Sequence, residues 1–68
     1  MKNYKYKKAD LEFINDGDFI LVRMIIRINE QQILIQNMLS HYVPVDVLLE
    51  EMYRKLLVEV IKYIKASH

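Results

Sequence analysis

The segment that most constrains the fold is INDGDF, residues 14–19, which lies between two stretches of alternating apolar residues. An Asp-Gly pair in this setting is typical of a tight β-hairpin, because Asp16 and Gly17 tolerate the positive φ angles of a type I′ turn. A two-residue loop there pairs Asn15 with Asp18. The predicted facing pairs are Phe13–Ile20, Leu11–Val22 and Ala9–Met24 on one side of the hairpin, and Ile14–Phe19, Glu12–Leu21 and Asp10–Arg23 on the other. The apolar pairs fall together and the opposed charges attract, which favours this register.

The second strand continues this alternation. Every second residue from Ile20 to Ile28 is apolar, so this side of the strand is predicted to face the core. A four-residue loop at 29–32 then pairs Ile28 with Ile33 and starts a third strand. Asn37 falls on the core side opposite Met24, which predicts that the third strand bends or ends near that point.

The rest of the chain, from Pro44 onward, has the pattern of one long helix. Proline suits a first helical position, and acidic residues near the start with Lys62 and Lys65 near the end match the helix dipole. About 22 residues at 1.5 Å each give a helix of roughly 33 Å, close to the length of an 11-residue strand. Ten apolar residues cover about half of its circumference; they are Val45, Leu49, Met52, Tyr53, Leu56, Leu57, Val60, Ile61, Tyr63 and Ile64.

These patterns predict an α+β fold in a single domain, residues 1–68. It is a three-stranded antiparallel meander in the order 1-2-3, with strands at about 3–15, 18–28 and 32–39, and a helix at about 44–66 packed on one face. A chain of 68 residues buries only about 60% of its unfolded surface. Since it has no cysteine, neither disulfides nor thiolate zinc sites can add stability. Efficient packing or a partner must therefore supply it.

The second face of the sheet is more apolar than a solvent-facing sheet normally is. Six apolar residues are predicted to form an oligomer or partner interface there: Ile14, Phe19, Leu21, Ile25, Leu34 and Met38. Together with the broad helix stripe they exceed what one chain can cover, which favours a homodimer and an unidentified protein partner. The dimer contact could use this sheet face or the helix. The alternative is that intermixed charges suffice to keep an ordinary small domain in solution.

The opening octapeptide, MKNYKYKK, carries four lysines and no acid in a chain of net charge +1. Lysines contact phosphates and tyrosines stack on bases, so a nucleic-acid contact is one interpretation; its residues are Lys2, Tyr4, Lys5, Tyr6, Lys7 and Lys8. The structural interpretation is an edge strand guarded by lysine, with a β-bulge near residues 7–9 that turns the tyrosines inward. The third interpretation is a loose N-terminal tail. The direction of Tyr4 and Tyr6 separates these interpretations.

No motif predicts catalysis. His41 follows Ser40 just before the helix, but no carboxylate is placed by a recognisable motif to work with them. The helix carboxylates share a solvated face with lysine and arginine, as in the i, i+4 pair of Glu50 and Arg54. We therefore expect no enzyme activity, no cofactor and no metal. Neither a membrane-spanning apolar run nor a signal peptide is apparent, so we expect a soluble cytoplasmic protein with no membrane partner.

The leading functional hypothesis is a small non-enzymatic protein-interaction module that acts as a homo-oligomer. Its size and composition are similar to those of many accessory proteins of phages and mobile elements, and an inhibitor, adaptor or regulator fits them. The alternative is a nucleic-acid-binding regulator that uses the basic and aromatic N-terminal segment.

Overall fold

The computed structural model describes residues 4–66 as one antiparallel sheet with a C-terminal helix packed on it. Its elements are β1 (Tyr4–Tyr6), β2 (Ala9–Asp16), β3 (Phe19–Ile28), β4 (Gln31–Met38) and α1 (Val45–Ala66). The strand order is β1-β2-β3-β4. The α+β architecture is confirmed, whereas the prediction of three strands was wrong because the sheet has four.

The additional strand arises where a single strand with a bulge was predicted. The chain reverses at Lys7-Lys8, where Lys7 has a φ of 55°, and pairs Tyr6 with Ala9. A left-handed residue at this point allows a two-residue turn, which a bulge within one continuous strand does not provide. The turn brings both tyrosines back over β2, so that Tyr4 lies opposite Leu11.

The hairpin of β2 and β3 closes one residue later than predicted. Its loop is Gly17-Asp18, and Asp16 pairs with Phe19. Gly17 has a φ of +64° and Asp18 is not left-handed, which is the φ pattern of a type II′ turn with glycine at its first central position. The predicted pairing of Asn15 with Asp18 was therefore wrong, and each partner is displaced by two residues.

The hairpin of β3 and β4 shows the same displacement. Asn29 and Glu30 have φ angles of 49° and 70°, the pattern of a type I′ turn, so two residues suffice where four were predicted. Ile28 consequently pairs with Gln31 instead of Ile33. Because side chains alternate with a period of two, a displacement by two residues leaves every side chain on its predicted face. The predicted faces are correct although the predicted partners are not.

Helix α1 packs over β3 and β4 on the side that we call the helix face of the sheet. The Leu48 N–H donates to the Pro44 carbonyl at 3.1 Å, so Pro44 precedes the first helical residue instead of occupying that position. The core joins four helix residues to four sheet residues; they are Leu48, Leu49, Met52 and Leu56 from α1, and Ala9, Leu11, Val22 and Met24 from the sheet.

The predicted apolar stripe on α1 is only partly used. Leu48, which lies outside that stripe, is buried, whereas Leu57, Ile61 and Ile64 within it are exposed. No helix residue after Leu56 is buried.

Candidate interaction surfaces

The open face is the side of the sheet away from α1, and the strand register arranges its side chains in rows. From one end of the sheet to the other, the rows are Asp16–Phe19, Ile14–Leu21–Met38, Glu12–Arg23–Gln36, Lys5–Asp10–Ile25–Leu34 and Arg27–Gln32. Apolar side chains, Leu21 and Met38 in one row and Ile25 and Leu34 in another, thus lie on both sides of a polar row. This arrangement follows from the alternation of each strand, since facing residues in an antiparallel sheet point to the same side.

All six residues predicted as an interface lie on this open face. Phe19, Leu34 and Met38 are 54%, 50% and 46% exposed, which are high values for large apolar side chains. Ile14 and Leu21 are half-buried. Ile25 is buried although it lies outside the core cluster beneath the helix. The open face therefore has a covered centre at Ile25 and exposed apolar residues on both sides of it.

Arg23 lies at the centre of the polar row. Its Nη1 is 3.5 Å from Glu12 Oε2, so the predicted partner Asp10 was wrong; Asp10 instead lies 3.7 Å from Lys5 Nζ. The Nε of Arg23 is buried and has no hydrogen-bond acceptor among the described residues. A buried donor without an acceptor costs free energy. These exposed ion pairs contribute little stability to compensate for that cost.

The two edges of the sheet differ in a way that was not predicted. The edge at β1 is three residues long, contains Lys5 and is followed by two more lysines. The edge at β4 is eight residues long, and its sequence, QQILIQNM, has no charge, proline or glycine. Natural edge strands are usually protected by such residues. The lack of charge, proline and glycine in this segment is visible in the sequence, but it indicates an unprotected edge only once β4 is known to be at the edge of the sheet.

The N-terminal tyrosines point toward the helix side. The ring of Tyr6 lies 5.6 Å from the ring of Tyr53 on α1, and Lys7 Nζ lies 5.5 and 5.2 Å from those two rings. Tyr4 makes an edge contact at 5.6 Å with Phe13. Tyr6 and Tyr53 thus form part of the packing around the core, whereas Tyr4 and Phe13 make their aromatic contact while 47% and 43% exposed.

The residues predicted to contact nucleic acid are consequently divided. Lys5 lies on the open face beside Asp10, Lys7 lies over aromatic rings next to α1, and Lys8 is exposed in the turn between β1 and β2. Lys2 lies outside the described residues. The structure thus does not gather the three described lysines of this segment into one basic surface.

The loop before α1 brings together residues that the sequence did not connect. Asp18, from the β2–β3 turn, lines one small cavity with Ser40 and His41. The Ser40 hydroxyl oxygen accepts the N–H of Tyr42 at 3.1 Å and so helps to shape the loop. Tyr42 is 94% exposed. Within residues 4–66 no group of three or more His, Asp or Glu residues could hold a metal ion.

Comparison with protein-family models, curated proteins and solved structures finds no match to this chain. In the described part of the chain, no helix has both the length and the hydrophobicity needed to cross a membrane.

Proposed function

We propose that this chain is a non-enzymatic protein-interaction module that acts as a homo-oligomer and binds a protein partner through the open face. The observation that carries this proposal is the exposure of Phe19, Leu34 and Met38 on one side of a sheet whose other side is occupied by α1. Large apolar patches with polar residues among them mark protein contacts more often than solvated surface. An inhibitor, adaptor or regulator can act in this way, by covering part of the surface of another protein without catalysing a reaction.

Arg23 adds a polar component to this proposal. Its guanidinium already faces Glu12, and the polar row places it between the apolar pair of Leu21 and Met38 and that of Ile25 and Leu34. Interfaces typically combine apolar anchors with a few polar groups, and arginine is enriched among residues that dominate binding energy. A partner that carries an acidic or carbonyl oxygen opposite Arg23 fits this arrangement.

Site-specific photo-cross-linking in cells tests the open face directly. A benzoylphenylalanine replaces Phe19 in one variant and Val58, which is 50% exposed on the side of α1 away from the sheet, in the control variant. We expect the Phe19 variant to give a discrete cross-linked protein that the Val58 variant does not give. Identical products from both positions, or none from Phe19, would contradict the proposal for this face.

Sedimentation equilibrium tests the homo-oligomer. We expect the mass of the wild-type chain to rise from that of the 8.2 kDa monomer toward twice that value as concentration increases. A monomer at every concentration up to the millimolar range would refute self-association.

Nucleic-acid binding is the second candidate. Exposed Lys8 and the largely exposed Lys5 side chain favour it. We rank it lower because Tyr6 packs against Tyr53 and Lys7 lies over both rings, which leaves fewer groups for bases and phosphates.

A further inference from the structure

We propose that the homo-oligomer is a two-fold dimer in which β4 pairs antiparallel with β4 of a second copy, so that the two sheets become one. The inference rests on the proposed homo-oligomer and specifies its contact. The observation behind it is the outer edge of β4, which is long and uncharged. Among the described residues, β4 is hydrogen-bonded to another strand on the β3 side only.

The alternation of backbone groups identifies which parts of β4 are open. The Leu39 N–H donates to the Ile20 carbonyl at 2.8 Å, and inward bonds recur every second residue along an antiparallel pair. Odd-numbered residues of β4 therefore bond to β3, while the N–H and C=O groups of even-numbered residues point outward. Asn37 Oδ1 accepts the outward Met38 N–H at 2.8 Å, which closes that end of the edge.

Three outward positions remain, and they define a symmetric register. Gln32, Leu34 and Gln36 can pair with Gln36, Leu34 and Gln32 of the second copy, with Leu34 at the two-fold axis. Such facing pairs exchange both of their hydrogen bonds, giving about six across the axis. On the helix face the same register sets Ile33 opposite Ile35 of the copy, a favourable β-branched pair. No like charges meet along this edge, since β4 has none.

The position of α1 leaves space for this contact. Helix α1 contacts β3 and β4 on one side of the sheet, so it does not cover the outer edge of β4 in the plane of the strands. A two-fold axis perpendicular to the joined sheet places both copies of α1 on the same side and antiparallel to each other. A contact between the two helices can therefore accompany the pairing of the strands.

The charges on α1 suit an antiparallel copy of the same helix. Tyr53 contacts Tyr6 of β1, so the opposite flank of α1 points toward the β4 side. At about 100° per residue, that flank carries Glu51, Lys55, Glu59 and Lys62, all exposed. An alternating series of this kind is self-complementary when reversed, because acids of one helix can face bases of the other.

Amide hydrogen exchange measured by NMR tests the inference on the wild-type chain. At a concentration where sedimentation shows dimer, we expect the amides of Gln32, Leu34 and Gln36 to exchange at least about tenfold more slowly than at a dilution that gives monomer. The inward amides of Ile33 and Ile35 serve as the internal control, since β3 protects them in both states. Dimer without protection of the outward amides would overturn the edge contact and leave the homo-oligomer intact.

A matched pair of substitutions gives an independent readout. Gln36→Pro removes one outward N–H without removing a bond to β3, and Gln36→Thr keeps that N–H at the same position. We expect Gln36→Pro to weaken dimerisation at least about tenfold and Gln36→Thr to have little effect. Equal dimerisation of both variants would overturn the proposal, with circular dichroism confirming that each is folded. If Gln36→Pro does not fold, the exchange data on the wild-type chain decide. A wild-type chain that is monomeric throughout refutes the homo-oligomer itself.

Discussion

At the scale of single residues, two adjacent leucines in α1 mark the boundary of the core. Leu56 is fully buried under the sheet, whereas Leu57 is 38% exposed. The buried side chain contributes hydrophobic transfer and close packing, and its removal would leave a cavity. The exposed one contributes only part of its area.

We expect Leu56→Ala to lower the free energy of unfolding by about 2–5 kcal/mol and Leu57→Ala to lower it by less than about 1 kcal/mol. Urea denaturation followed by circular dichroism measures both. The comparison is matched in residue type, substitution and element, so similar losses for the two variants would show that the helix packs differently.

At this scale the sequence predicts the face of the sheet on which a side chain lies, but not the residue that it faces on the neighbouring strand. The alternation of apolar residues predicts the side of the sheet that Phe13 and Ile25 occupy, because a shift of the strand register by two residues leaves each side chain on the same side. It could not decide that Phe13 lies opposite Val22, since that depends on whether glycine takes the first or second position of the turn. The same displacement changed the partner of Arg23 from Asp10 to Glu12.

At the scale of elements, β1 is the smallest and depends most on its neighbours. Three residues paired to β2 do not form a stable strand by themselves, but the contact of Tyr6 with Tyr53 attaches β1 to α1. Lys7 adds a charge over both rings. The first and last elements of the chain are thus joined through aromatic packing.

A double-mutant cycle of Tyr6→Leu and Tyr53→Leu should reveal this contact as a coupling energy of about 0.5–1.5 kcal/mol in chemical denaturation. The control cycle combines Tyr53→Leu with Phe19→Leu, which lies on the opposite face and should be additive. A coupling energy near zero for Tyr6 and Tyr53 would mean that β1 does not dock on α1 in solution.

The sequence could not separate β1 from β2, because a lysine with positive φ has no compositional signal. Gly17 marks its turn through its residue type, whereas Lys7 adopts φ 55° only in the context of the contacts around it. The bulge hypothesis nevertheless reached the correct side for both tyrosines. The helix, whose apolar period and flanking Pro44 are local signals, was predicted to within one residue at each end.

At the scale of the whole molecule, the described lysines of the N-terminal segment lie on different parts of the surface. The formal net charge is +1, and the lysines at positions 5, 7 and 8 are divided between the open face, the helix side and a turn. The set of residues that share the open face was predictable from alternation alone. The β4 edge was not, because an edge exists only when the complete strand order is known.

This distribution predicts that the affinity for a single-stranded oligonucleotide falls only slightly as the salt concentration rises. Lys5 and Lys8 are the lysines left for phosphates in the described part of this segment, and two such contacts give a slope of log K against log salt of no more than about 1.4 in magnitude. Fluorescence titrations between low and moderate salt measure it, with Lys5→Gln and Lys8→Gln as the control. A steeper slope would indicate a larger phosphate-binding surface and favour the nucleic-acid alternative.

The position of α1 after all four strands in the chain has a consequence for synthesis. Each strand pairs with the one before it through a two-residue turn, so the sheet requires only short loop closures and can form as the chain emerges. Ribosomes add about 5–20 residues per second, so the helix face stays uncovered until Leu56 and its neighbours have been made. During that interval Val22 and Met24 are open to water or to a nearby nascent chain. Slowing translation after residue 44 should therefore increase aggregation of the nascent protein, whereas slowing it before β3 is complete should not.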